Sequence, residues 1–85
     1  MYTYEAEQPL FRGKRLVETG HFHRELYGVY RKGVDFALEL LEDGRHERES
    51  RDKVRVTKRT AGGLWELVYA ESECEVFLIH LKLRR

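Results

Sequence analysis

The chemistry available to this chain sits in its second half. Lys53, Arg55, Thr57 and Arg59 alternate along one stretch, and on an extended chain they share a face. His80 and Lys82 alternate along another stretch, Cys74–Leu83, the most apolar run in the sequence. If strand register joins the two sets, with Glu66, one face holds cations, an imidazole and a carboxylate. Such a set can hold a phosphate and move a proton, because cations neutralise anionic oxygens and histidine exchanges a proton near neutral pH. His80 is the most suggestive single residue, since an imidazole in an apolar strand is costly unless hydrogen-bonded. The plainer alternative is a solvated sheet face with His80 as a satisfied structural residue. Both readings stand on these residues.

Other candidates carry less. His21 and His23 are two apart, a spacing that turns them to different sides of a helix, and His46 and Cys74 add no recognised ligand spacing. No metal site and no cofactor is expected. Cys74 has no nucleophile context and is expected to pack in the core or sheet. Gly62-Gly63 matches no phosphate-loop pattern and reads as turn chemistry.

These side chains need a scaffold. Met1–Glu7 alternates Tyr2, Tyr4 and Ala6 against polar residues, a short strand that Pro9 ends, and Lys14–Glu18 is a second short strand or a connector. Thr19 caps a first helix whose stripe is Phe22, Leu26, Val29 and Tyr30. Asp35 caps a second helix with Val34, Ala37, Leu38 and Leu41 inward, and Gly44 stops it in a left-handed conformation. An antiparallel meander follows. Arg45–Ser50 is a charged edge strand, Arg51-Asp52 a turn, and Lys53–Thr60 a strand with Val54 and Val56 inward. Ala61-Gly62-Gly63 is a tight turn in which both glycines supply positive φ. Leu64–Glu71 places Trp65, Leu67 and Tyr69 on one side. In the last strand, period two puts Phe77, Ile79, Leu81 and Leu83 beneath the helices and leaves His80 and Lys82 on the open face. The predicted fold is α+β: two N-terminal helices on one face of a four- to five-stranded antiparallel sheet, with an extra N-terminal strand as an option.

Eighty-five residues predict one domain, divided into an N-terminal extension (1–18), two helices (19–44) and the meander (45–85). Charged residues make up 36% of the chain and the net charge is +1, too little excess to argue for nucleic acid alone. Its distribution says more: residues 1–44 carry a net of −2 and residues 45–85 a net of +3. No run is long and apolar enough to span a membrane, and no basic-then-apolar leader opens the chain. With one cysteine, these features predict a cytoplasmic protein. The absence of Asn and the abundance of Arg, Glu and Lys resemble heat-adapted composition.

Two segments carry a family resemblance. Lys32-Gly33-Val34-Asp35-Phe36, followed by Ala37 and the Leu38–Leu41 stripe, resembles the Lys-His-Gly-Val-Ser-Phe segment of BrnT-type toxins, without its histidine. His23 through Val34, then Leu40-Leu41-Glu42-Asp43-Gly44 and basic strands, is also similar to an uncharacterised domain family related to those toxins. The order of two helices and a meander resembles the RelE/ParE toxin superfamily over roughly residues 21–83.

The resemblance implies a toxin-like RNA-binding protein, a metal-independent endoribonuclease acting on RNA or the ribosome and neutralised by a small acidic antitoxin. It assigns His80 to proton transfer, Arg55 to charge stabilisation, and Lys53 and Arg84 to phosphate positioning, with Lys82 and Arg59 as further substrate contacts. Several members of that superfamily end in a tyrosine or further basic residues after the last strand. The sequence here ends at Arg85, a departure that weighs against ribosome-dependent cleavage. The alternative is a non-catalytic interaction module, such as a homodimer or a partner-binding domain, which the small net charge favours.

Overall fold

A computed structural model describes the backbone of residues 3–85 and the side chains of residues 10–85. Met1 and Tyr2 lie outside the described residues, and the alternation expected of Tyr2, Tyr4 and Ala6 rests on side chains that also lie outside them. Along the chain run β1 (Thr3–Phe11), β2 (Lys14–Thr19), α1 (Gly20–His23), a π-helical segment (Arg24–Val29), α2 (Val34–Asp43), β3 (Arg45–Arg48), β4 (Val54–Thr60), β5 (Gly63–Glu71) and β6 (Glu75–Arg84).

The six strands form one curled sheet in the order β1-β2-β6-β5-β4-β3. This corrects the predicted fold: six strands, not four or five, with two short helices. The meander β3–β4–β5–β6 is antiparallel throughout. The extra strands come from the N-terminal hairpin. Its β2 inserts beside β6 in parallel, pairing Arg15–Glu18 with Glu75–Leu78. That pairing joins segments about sixty positions apart, and local periodicity carries no trace of it. β1 continues through Pro9, with a register irregularity between Glu5 and Leu10. β1 is an edge strand, and at such an edge or irregularity a missing N–H costs no ladder bond. Arg12-Gly13, at φ +54° and +76°, forms the tight type I′ turn into β2.

The sheet's concealed face carries the core. Leu16, Val56, Trp65, Leu67, Tyr69, Val76, Leu78 and Leu81 lie under Phe22, Leu26, Ala37, Leu40 and Leu41. Of the β6 residues here, Val76 and Leu78 lie outside the expected stripe. A β-bulge falls between Val68 and Tyr69 of β5, where Ile79 of β6 has no partner: Tyr69 pairs with Leu78, and Val68 with His80. One extra residue exchanges the two faces of β6. Val76 and Leu78 are therefore buried before the bulge and Leu81 after it, while Phe77 and Ile79 are half-buried. The expected stripe of Phe77, Ile79, Leu81 and Leu83 holds only from Leu81 onward.

The helical layer also departs from expectation. Thr19 caps α1 as predicted, its Oγ1 accepting from Phe22 N at 3.2 Å. The chain then widens into π geometry, with Tyr30 N donating to Glu25 O at 2.9 Å. Wider turns keep residues four apart in line, so Phe22, Leu26 and Tyr30 face inward, and Val29 is 64% exposed. Gly33, not Asp35, stands at the N-cap of α2, and Asp35 lies in its first turn. Gly44 ends α2 with φ −78°, which any residue adopts. Its role is space: a Cβ there would collide with Val56 and with the carbonyl of Leu40. At the β4–β5 turn only Gly63 has positive φ, +134°.

Candidate functional site

The open face of the sheet follows from the register after the bulge. Arg55 pairs with Val68 and Val68 with His80, so these three form one row across β4, β5 and β6. The next row is Thr57, Glu66 and Lys82, and the one after is Arg59, Leu64 and Arg84. Arg55, Glu66, Val68, His80, Lys82 and Arg84 line a groove of about 150 Å³ that Glu49 closes at one side. Strand spacing sets Arg55 and His80 about 10 Å apart at the backbone, across β5.

Four of the six residues singled out from sequence thus meet: Arg55, His80, Lys82 and Arg84. Lys53 and Arg59 do not line the groove. Lys53 precedes β4, where its carbonyl accepts from Glu49 N at 2.9 Å and Ser50 N at 3.2 Å. Arg59 is exposed near the far end of β4. Arg45–Ser50 is correspondingly shorter as a strand, ending at Arg48.

The groove mixes cations with carboxylates. Arg55 Nη2 lies 2.6 Å from Glu49 Oε1, and its Nε donates to the same oxygen at 3.0 Å. These bonds to Glu49 hold the Arg55 guanidinium above its ordinary pKa. Glu66 takes a bond from Arg84 Nε and lies 3.9 Å from Arg55 Nε. Lys82 has no carboxylate partner among the described residues.

His80 connects this groove to the helical layer. β2 pairs with β6 only as far as Leu78, so the outer edge of β6 beyond it needs other partners. The π-helical segment supplies them: Leu81 N donates to Glu25 Oε1 at 2.9 Å, and Leu83 N to the Tyr30 hydroxyl at 3.0 Å. Thr19 Oγ1 donates to Leu78 O at 3.0 Å. The same Glu25 oxygen lies 3.2 Å from His80 Nδ1 and 3.2 Å from His21 Nε2, and the two nitrogens lie 3.2 Å from each other. Among the described residues, this is the cluster whose ligand atoms could hold a metal ion. Sequence reasoning weighed His21 against His23 and set both aside. The readable signal was the four-residue spacing from His21 to Glu25; the strand partner was not readable.

No protein-family model matches the chain, and searches of curated proteins and of solved structures return no match.

The remaining polar clusters are structural. His46 Nε2 donates to Leu41 O at 2.7 Å, and its Nδ1 lies 2.9 Å from the Tyr69 hydroxyl. That pins α2 to β3 and β5. Buried Glu18 takes a 3.0 Å contact from His23 Nδ1 and a 3.4 Å bond from the Tyr27 hydroxyl. Burial first, then the Glu18 charge, raises the Tyr27 phenol above its ordinary pKa. Cys74 is exposed, against the packed position expected for it. A hollow of about 420 Å³ near Lys14, Arg48, Arg51 and Glu71 holds none of the six predicted residues, and Lys14 there is paired with Glu71 at 2.8 Å. Among the described residues no helix is long and apolar enough to cross a membrane.

Proposed function

We propose that the open sheet face binds RNA through its phosphates and that His80, oriented by Glu25, moves a proton in metal-independent cleavage, the toxin-like activity that the resemblance implies. The observation that supports this is the meeting of Arg55, His80, Lys82 and Arg84 around one groove. His80 Nδ1 is engaged with Glu25 and His21, which leaves Nε2 as the nitrogen available to a substrate. A carboxylate behind an imidazole is the arrangement of an oriented general base. In the reaction, Nε2 takes the proton of a 2′-hydroxyl, the freed oxygen attacks the adjacent phosphorus, and the 5′-oxygen leaves with a proton. The products are a cyclic phosphate and a 5′-hydroxyl. Lys82 and the two arginines offset the charge on the phosphoryl oxygens. A cytoplasmic setting fits this role. An acidic antitoxin of the kind the resemblance implies would compete for the same cations.

The test is anisotropy of a labelled single-stranded RNA at two salt concentrations, followed by cleavage in the presence of a chelator. Wild type should bind at low salt and cleave, and Arg55→Ala, His80→Ala should lose cleavage. Full cleavage by that double variant overturns the residue assignment. A second reading, the non-catalytic interaction module, draws support from Glu49 and Glu66, which already neutralise Arg55 and Arg84. Absence of RNA binding at low salt would decide for it.

A further inference from the structure

The corner formed by His21, Glu25 and His80 has a geometry of its own. Three potential ligand atoms stand at the vertices of a triangle with 3.2 Å sides: His21 Nε2, Glu25 Oε1 and His80 Nδ1. For bonds of roughly 2.0–2.1 Å to zinc, such sides correspond to ligand–metal–ligand angles of about 100–105°, close to tetrahedral. We infer that these three side chains form a binding site for a divalent transition-metal ion of the zinc class, with a fourth position left to water.

The chemistry of the set favours this ion. Two imidazoles and one carboxylate suit zinc, cobalt and nickel better than calcium or magnesium, which prefer all-oxygen shells. The site is anchored where it must be rigid and open where it must exchange. Glu25 is held by Leu81 N at 2.9 Å, and its side chain is 17% exposed. The His21 side chain is 58% exposed and lies one turn before Glu25 on the same helical face. The two rings lie almost edge to edge, 5.4 Å between centroids and 7° between planes. Both facing nitrogens lie 3.2 Å from the same Glu25 oxygen. Turning both lone pairs onto a common ion requires each ring to rotate, and the His21 and His80 side chains, 58% and 38% exposed, have room to do so. The other two histidines are engaged elsewhere: His23 with Glu18, and His46 with Leu41 and Tyr69.

Metal binding would also set the state of His80. An ion on Nδ1 leaves the proton on Nε2, so the loaded ring donates and cannot act as a base. That consequence rests on the proposed function; the site itself does not, and the two are tested separately.

The experiment uses tag-free, chelator-treated protein without RNA. Zinc chloride is titrated by calorimetry, and cobalt(II) by its visible d–d absorption, into wild type, His21→Ala, Glu25→Gln, His80→Ala and Cys74→Ser. One equivalent should bind with intense, tetrahedral-type cobalt bands. Because loss of an outer-shell partner already costs about 10–100-fold in metal affinity, loss of a ligand should weaken binding by at least about tenfold in each of the first three variants. His21→Ala is the decisive one, since its exposed side chain is removed without disturbing the core, and circular dichroism confirms its fold. Cys74→Ser should bind as wild type does. Failure of wild type to bind either ion, or binding unaltered by His21→Ala, overturns the inference and leaves a hydrogen-bonded histidine pair.

Discussion

Glu25 Oε1 stands 3.2 Å from His80 Nδ1 while accepting the Leu81 amide at 2.9 Å, so one carboxylate both orients the imidazole and seals the strand edge next to it. The π-helical segment is placed there because β2 stops pairing at Leu78 and β6 continues to Arg84. Orientation of the groove's histidine is therefore tied to the stability of the central strand.

Glu25→Ala should unfold more easily, because an unpartnered, half-buried amide costs about 1–3 kcal/mol. Hydrogen exchange at Leu81 should accelerate with it. Glu25→Gln keeps an acceptor for Leu81 and should recover most of the stability. Denaturant melts and amide exchange measure both. Unchanged protection at Leu81 in the alanine variant would contradict the edge-sealing role.

Gly44→Ala should destabilise by about 1–3 kcal/mol, the usual range for overpacking, since its Cβ meets Val56 and the Leu40 carbonyl. Gly62→Ala is the control: its Cβ would have only Thr60 Oγ1 at 3.8 Å, and the shift should stay within about 0.5 kcal/mol. Thermal melts of the two variants compare them directly.

The alternation of β4 and β5 is legible in the sequence. The inward Val54, Val56, Trp65, Leu67 and Tyr69 follow from alternation because β4 and β5 pair without interruption from Val54–Tyr69 to Thr60–Gly63. The Thr19 cap was legible because a hydroxyl before a helix has few other uses. What could not be read is non-local. Nothing in Phe77-Leu78-Ile79-His80 marks which residue is left unpaired, so the face exchange was invisible. Its effect spared His80, Lys82 and Arg84, which lie after the bulge and stay on the open side. The parallel insertion of β2 and the approach of Glu25 to His80 depend on tertiary packing between segments some 55 or more positions apart.

Alkaline stability should report Tyr69. Burial first, then the Glu71 charge, holds its phenol above the ordinary 10.0, against the pull of Arg12 and Arg48. The folded chain keeps a proton that the unfolded chain gives up, so stability is complete below pH 10.0 and falls as pH rises through the higher folded value. Tyr69→Phe should start about 0.5–1.5 kcal/mol less stable through loss of the His46 bond, yet decline less steeply above pH 10.0. Denaturant midpoints across the alkaline range measure the slope. An equally steep decline would show that Tyr69 does not carry it.

The cations should differ in their contribution to RNA affinity. Lys82 has no carboxylate partner among the described residues, so Lys82→Ala should lower the slope of log affinity against log salt by about 0.7, the value for one single-strand phosphate contact. Arg55→Ala should change it less, since Arg55 must first leave Glu49. Lys58→Ala should leave the slope unchanged, because Lys58 points to α2 and pairs with Glu39 and Asp43 at 3.3 Å. Equal slopes for wild type and Lys82→Ala would remove Lys82 from the contact surface.

The central claim is that the open face, defined by the register after the Ile79 bulge, is the RNA-binding surface. Amide chemical-shift mapping on addition of a short single-stranded RNA at low salt tests it most directly. The account predicts shifts concentrated at Arg55, Glu66, Val68 and His80–Arg84, with Ala37–Leu41 of α2 unmoved. Shifts centred on α2, or none at all, would contradict it.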